Sequence, residues 1–125
     1  MAEILVIDDE PQMRRLIARI LHGAGHTVHE ANNGEEGIEL FRRMRPVLVI
    51  TDIVMPDVEG IEVIRALRQE APTIPILAIS GSGHPVYLRA ATGLGATTAL
   101  AKPFRADELL SVVVQLLQTT ADGAA

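Results

Sequence analysis

Five short runs of apolar β-formers recur along the chain, and after each the apolar residues return every three or four positions. Glu3 to Ile7 is the first run and Thr27 to Ala31 a weaker second. Val47 to Ile50 leads into Thr51 and Asp52, Ile76 to Ile79 is the fourth, and Thr97 to Ala101 the fifth. Runs this short suit strands better than buried helices, and the unbroken apolar character of the third marks a central strand covered on both faces. The intervening stretches predict helices. Met13, Leu16, Ile17, Ile20, Leu21 and Ala24 form one stripe behind Pro11, which suits a first helical turn, and Gly23 and Gly25 stop it. Asn33 with Glu36 three residues later reads as a helix N-cap, followed by Ile38, Phe41 and Met44, with Pro46 as the break.

After Asp52, the turn from Met55 to Gly60 feeds a helix whose apolar side is Ile61, Ile64 and Leu67. Ser80-Gly81-Ser82-Gly83 predicts a small flexible loop, a shorter helix follows from about Pro85 to Thr92, and Leu109, Leu110, Val113, Leu116 and Leu117 stripe the last helix. Strand and helix alternating five times predicts an α/β fold, a doubly wound five-stranded parallel sheet with right-handed crossovers and helices on both faces. One domain is expected over residues 1–118, with 119–125 a flexible C-terminal tail.

Composition narrows the classes. The chain has 125 residues, enough for one domain that buries roughly two thirds of its unfolded surface. No apolar run approaches the roughly 18 residues of a membrane span, and Met1-Ala2-Glu3 leads straight into a strand without a secretory signal, so a cytoplasmic setting is expected. With no cysteine, disulfides and thiolate metal sites are excluded, and any metal must use oxygen or histidine. A net charge of −5 and only three aromatics, Phe41, Tyr87 and Phe104, argue against direct binding of nucleic acid.

The candidate chemistry lies where the strands end. In open parallel sheets, ligands collect at the carboxyl edge. Asp8 and Asp9 follow the first strand, Asp52 ends the third, Ser80 follows the fourth and Lys102 the fifth. Singly, such acids are most often helix caps and such a lysine a surface residue. Their conjunction at four strand ends is what carries the reading. Clustered carboxylates repel unless a cation shares the site, and an oxygen-only set without a ring of dedicated acids fits Mg²⁺ best. Asp52 can then attack a phosphoryl group as a carboxylate nucleophile, with Lys102 neutralising the charge, to form an aspartyl phosphate.

Asp8-Asp9, Asp52-Ile53-Val54-Met55-Pro56 with Gly60, Ser80 and Lys102-Pro103-Phe104, in this order and at these intervals, resemble the receiver domain of two-component response regulators over essentially the whole chain. The resemblance implies a flavodoxin-like receiver fold with strand order 2-1-3-4-5. It implies that Asp52 accepts a phosphoryl group from a sensor histidine kinase or histidine phosphotransfer protein. Asp9, Asp52 and the Val54 carbonyl would bind Mg²⁺ directly and Asp8 through water, while Ser80 and Lys102 would hold phosphoryl oxygens. The Lys102-Pro103 bond would be cis. The protein would not be an enzyme acting on others but would catalyse its own phosphorylation and dephosphorylation. Partners, either a downstream protein or an output domain, would read the face made by the helix after Ser80, the fifth strand and the last helix, which phosphorylation shifts.

One position departs from the pattern. Receivers usually carry Tyr or Phe three residues before the lysine, and here that residue is Ala99, so activation is expected to proceed through Ser80 and its loop without a ring. His84 and Tyr87 read as surface residues, and His22, His26 and His29 as a solvated cluster with no metal spacing. Two other classes compete. A phosphatase using an aspartyl phosphate commonly has a second acid two residues after the nucleophile, where this chain has Val54. A pseudo-receiver would bind partners without phosphate, and retention of all the site residues argues against it.

Overall fold

In the computed structural model, which describes residues 2–53, 59–80, 92–93 and 95–124, all five apolar runs form strands: β1 (Glu3–Ile7), β2 (Thr27–Ala31), β3 (Leu48–Asp52), β4 (Ile76–Ser80) and β5 (Thr98–Ala101). They make one parallel sheet in the order β2-β1-β3-β4-β5. The four described helices are α1 (Pro11–Gly23), α2 (Gly34–Met44), α3 (Glu59–Glu70) and α4 (Ala106–Ala124). β3, the middle strand, is buried at every residue, as its run of Leu, Val and Ile demands.

Alternation along the strands divides the core into two layers. Leu5, Ile7, Val49, Ile76 and Ala78 point to the side of α2 and α3, where they meet Phe41, Ile64 and Leu67. Ile4, Val6, Leu48, Ile50, Leu77 and Ile79 point the other way, toward Ile17 and Leu21 of α1 and Leu109, Val113 and Leu116 of α4. Burial of this kind contributes about 25 cal/mol per Å² of apolar area, so the two layers dominate stability.

Local signals set the helix ends. Pro11 occupies the first turn of α1, and Gly25 follows its end at φ 92°, a backbone region that side-chain-bearing residues avoid. The Glu36 amide donates to Asn33 Oδ1 at 2.8 Å, which caps α2 as the spacing predicts. Gly37 lets α2 lie directly on β1, because a Cβ there would come within 2.7 Å of Ile7 Cγ1.

The expected stripes need trimming. Leu16 is 45% exposed and Ala24 is exposed, while Ala18 and Val63, which the periodicity passed over, are buried. A stripe counted by threes and fours is wider than the contact one helix makes with a sheet, so its flanks stay in water. The last helix also runs on through 119–124, where a tail was expected. Once a helix is nucleated, each added residue gains a backbone hydrogen bond without needing an apolar face. The helix predicted from about Pro85 lies outside the described residues, apart from helical Thr92.

Candidate phosphoryl and metal site at the carboxyl edge

Four parallel strands put their ends at one edge of the sheet. Asp8 is the residue after β1, and its amide extends the β1–β2 ladder by donating to Ala31 O at 3.1 Å. Asp52 is the last residue of β3, and Ser80 the last of β4. The Lys102 amide donates to Ser80 O at 2.7 Å, so the end of β5 is tied to that of β4, and the Lys102-Pro103 peptide is cis as expected. The sheet ladder therefore fixes the backbone from which each functional side chain departs.

Asp8 and Asp52 are buried, 1% and 5% exposed, whereas Asp9 faces solvent. One carboxylate oxygen from each of the three can be chosen so that all lie within 4.8 Å of one another, the only such group among the described residues. Lys102 Nζ lies 3.3 Å from Asp52 Oδ2 and 3.6 Å from Asp8 Oδ2. The two buried carboxylates of the three thus share one ammonium group. Burial, opposed by the hydrogen bond from the Glu10 amide and reinforced by Asp52, pushes the Asp8 carboxyl up to about 6.

Its two oxygens differ. Oδ1 accepts from Glu10 N at 2.9 Å, while Oδ2 is buried and has no hydrogen-bond partner among the described residues. With only the Lys102 ammonium nearby, at 3.6 Å, a buried carboxylate oxygen in this state is costly unless a second cation approaches it. Excess negative charge, hard oxygen donors and this oxygen without a hydrogen bond together fit a divalent cation of the Mg²⁺ type.

Asp8, Asp9, Asp52, Ser80 and Lys102 all belong to the carboxyl edge, as their positions in the sequence predict. Ser80 is fully buried there, forming part of β4 where a loop was expected to begin. Val54, the proposed carbonyl ligand, lies outside the described residues, as do Ser82, His84 and Tyr87. Ala99 is half-buried on β5 and packs on the α2–α3 side of the core, so a methyl group stands at that position. His26 and His29 have structural partners: the Ala2 amide donates to His26 Nδ1 at 3.2 Å, and His29 Nε2 lies 3.3 Å from Glu3 Oε1.

Two residues near the site escaped the sequence reading. Arg14 Nη1 donates to the carbonyl of Asp8 at 2.9 Å, and its Nε contacts Glu30 Oε1 at 3.1 Å. Neither position breaks the polar pattern of its element, so periodicity carries no signal for them.

A family model described as the response regulator receiver domain matches residues 4–114. Response regulator MprA of Mycobacterium leprae is 36% identical over 117 residues, covering 94% of this chain and 51% of that protein. Transcriptional regulatory protein SrrA of Staphylococcus aureus is 33% identical over 118 residues, covering 94% of this chain and 48% of that protein. The chain spans about half the length of the curated relatives it matches. Among solved structures, the receiver domain of NtrX from Brucella abortus superposes with a TM-score of 0.89 at 32% identity, over 93% of this chain and 98% of that one. The chemotaxis response regulator CheY4 of Vibrio cholerae gives 0.84 at 30% identity, over 93% and 98%.

Proposed function

Because this chain belongs to the response regulator receiver domain family, we propose that Asp52 is its phosphoacceptor, charged by a sensor histidine kinase or a histidine phosphotransfer protein. The observation that carries the assignment is the buried Asp52 carboxylate, 3.3 Å from Lys102 Nζ and inside a group of three acids. A carboxylate oxygen of Asp52 attacks phosphorus, the P–N bond of phosphohistidine breaks, and its electron pair returns to the imidazole. The product is a mixed anhydride that water can cleave back to carboxylate and inorganic phosphate.

Asp9, Asp52 and the Val54 carbonyl would hold Mg²⁺ directly, with Asp8 acting through water. When bound, the ion neutralises charge on the phosphoryl oxygens and on the acids. Lys102 supplies a second fixed positive charge, which follows the phosphoryl group as it moves onto Asp52. Ser80 offers a hydroxyl to a phosphoryl oxygen and sits in β4, bonded through its carbonyl to the Lys102 amide. The same residues would let the domain catalyse its own phosphorylation from small donors and its own dephosphorylation.

The receiver unit would span residues 1–118 and work in the cytoplasm. None of the described helices is long and apolar enough to cross a membrane. Its output would pass through the face formed by the helix after Ser80, β5 and α4, to a downstream protein or an attached output domain. With Ala99 on β5, that passage would depend on Ser80 and its loop.

Intact-mass measurement after incubation with acetyl phosphate, with and without Mg²⁺, tests the assignment. The expected result is a Mg²⁺-dependent adduct of one phosphoryl group, sensitive to hydroxylamine and missing in Asp52→Asn. A folded wild-type protein that takes no adduct would overturn it.

A further inference from the structure

Arg14 is an arginine with little access to solvent: its side chain is only 13% exposed, although it lies in the first turns of α1, where polar residues have water within reach. Its guanidinium is spent on two partners. Nη1 donates to the carbonyl oxygen of Asp8 at 2.9 Å, and Nε to Glu30 Oε1 at 3.1 Å. That carbonyl belongs to the peptide joining Asp8 to Asp9. The tilt of this one peptide sets the direction in which both acids leave the backbone, one to the buried side and one to the solvent side of the site.

Glu30 is well placed to aim the fork. It pairs in register with Val6 on β1, so its backbone is part of the sheet, and Asp8 itself is tied to neighbouring Ala31 through its amide. Asp8 is therefore gripped at its N–H by β2 and at its carbonyl by α1. The planar guanidinium makes this grip directional in a way that an ammonium group would not.

We propose that Arg14, held by Glu30, is a positioning residue for the cation site, orienting Asp8 and Asp9 through the peptide between them. The inference rests on the metal-site reading given above. Charge alone predicts the reverse effect: a positive side chain beside an acidic cluster opposes a divalent cation, so its removal would tighten binding. Positioning predicts weaker binding, because groups that orient metal ligands typically contribute 10- to 100-fold in affinity.

Calorimetric titration of the whole chain with Mg²⁺ separates the two. Arg14→Gln is expected to raise the Mg²⁺ dissociation constant about tenfold. Arg15→Gln, which removes the same charge from an exposed neighbour on α1, is expected to leave it unchanged or slightly lower. Should Arg14→Gln fail to fold by circular dichroism, Arg14→Lys keeps the charge and loses the fork, and weaker binding is again expected. Unchanged or tighter binding by the folded Arg14 variant, alongside a wild type that binds, overturns the inference alone. A wild type that does not bind Mg²⁺ overturns the cation site and this inference with it.

Discussion

The two edges of the sheet solve opposite problems with the same kinds of groups. At the amino edge, Arg68 reaches from the end of α3 and makes five hydrogen bonds to the carbonyls of Gly95, Ala71, Pro72 and Ile74, at 2.6 to 3.1 Å. One cation there satisfies the orphan carbonyls at a helix end and ties them to the turn before β5. Burial lowers its pKa, yet a guanidinium stays charged at any ordinary pH. At the carboxyl edge, three carboxylates cluster and two of them, Asp8 and Asp52, share Lys102, while Asp8 Oδ2 has no hydrogen-bond partner among the described residues. The amino edge is built for stability and the carboxyl edge gives some of it up, as the proposed receipt of a cation and a phosphoryl group requires.

Breaking the well-satisfied edge has the largest expected effect on stability. Arg68→Ala strands several carbonyls at once, and a loss of about 3 kcal/mol is expected, read as a lower urea midpoint at unchanged slope. Phosphorylation of the protein that remains folded should persist, because no part of the carboxyl edge is touched. Loss of Mg²⁺ binding in a folded Arg68→Ala protein would show that the two edges are not independent.

The acidic edge answers to pH. Asp8 titrates near 6 in the folded chain against 3.8 in the unfolded one, so the folded state holds the extra proton between those values. Its protonated form is the favoured one, and metal-free stability falls as pH rises from about 4 through about 6. The contribution of this single group is on the order of 3 kcal/mol. Asp8→Asn should flatten that part of the pH profile in urea titrations without metal, and Mg²⁺ should restore stability to the wild type above pH 6. A profile identical in wild type and Asp8→Asn would contradict the shift.

The smallest effect belongs to a contact that looks strong on distance alone. Arg42 Nε lies 2.6 Å from Glu70 Oε1, linking α2 to α3, but the arginine side chain is 60% exposed. Such pairs contribute less than about 1 kcal/mol, so Arg42→Gln should shift the urea midpoint little, and less still at high salt. The contrast with Arg68 tests whether burial, more than bond length, decides the strength of a charged contact here.

Much of the fold is legible in the sequence because it is written in local terms. Pro11, Gly25 and Asn33 punctuate helices by their own backbone chemistry, and β3 declares itself by an apolar run that stops at an acid. The same stop marks Asp52 as a candidate, and the pattern of strand ends adds Asp8, Asp9, Ser80 and Lys102, all of which lie at the carboxyl edge. Arg14 and Glu30 were missed because they meet across 16 residues on elements that are otherwise ordinary. Leu16 was assigned to the core because periodicity measures which side a residue is on, not how far the neighbouring sheet extends.

The sequence by itself determined the alternation of strands and helices, the absence of thiolate chemistry and the residues available at the strand ends, since each depends on neighbours a few positions away. Tertiary structure decided which of two adjacent acids is buried, how far the pKa of Asp8 rises, and that Lys102 stands between Asp8 and Asp52. Those properties arise from groups far apart in the chain, Lys102 standing 50 residues from Asp52 and farther still from Asp8, brought together only when the strands pair, and their strength depends on how much water the fold leaves between them.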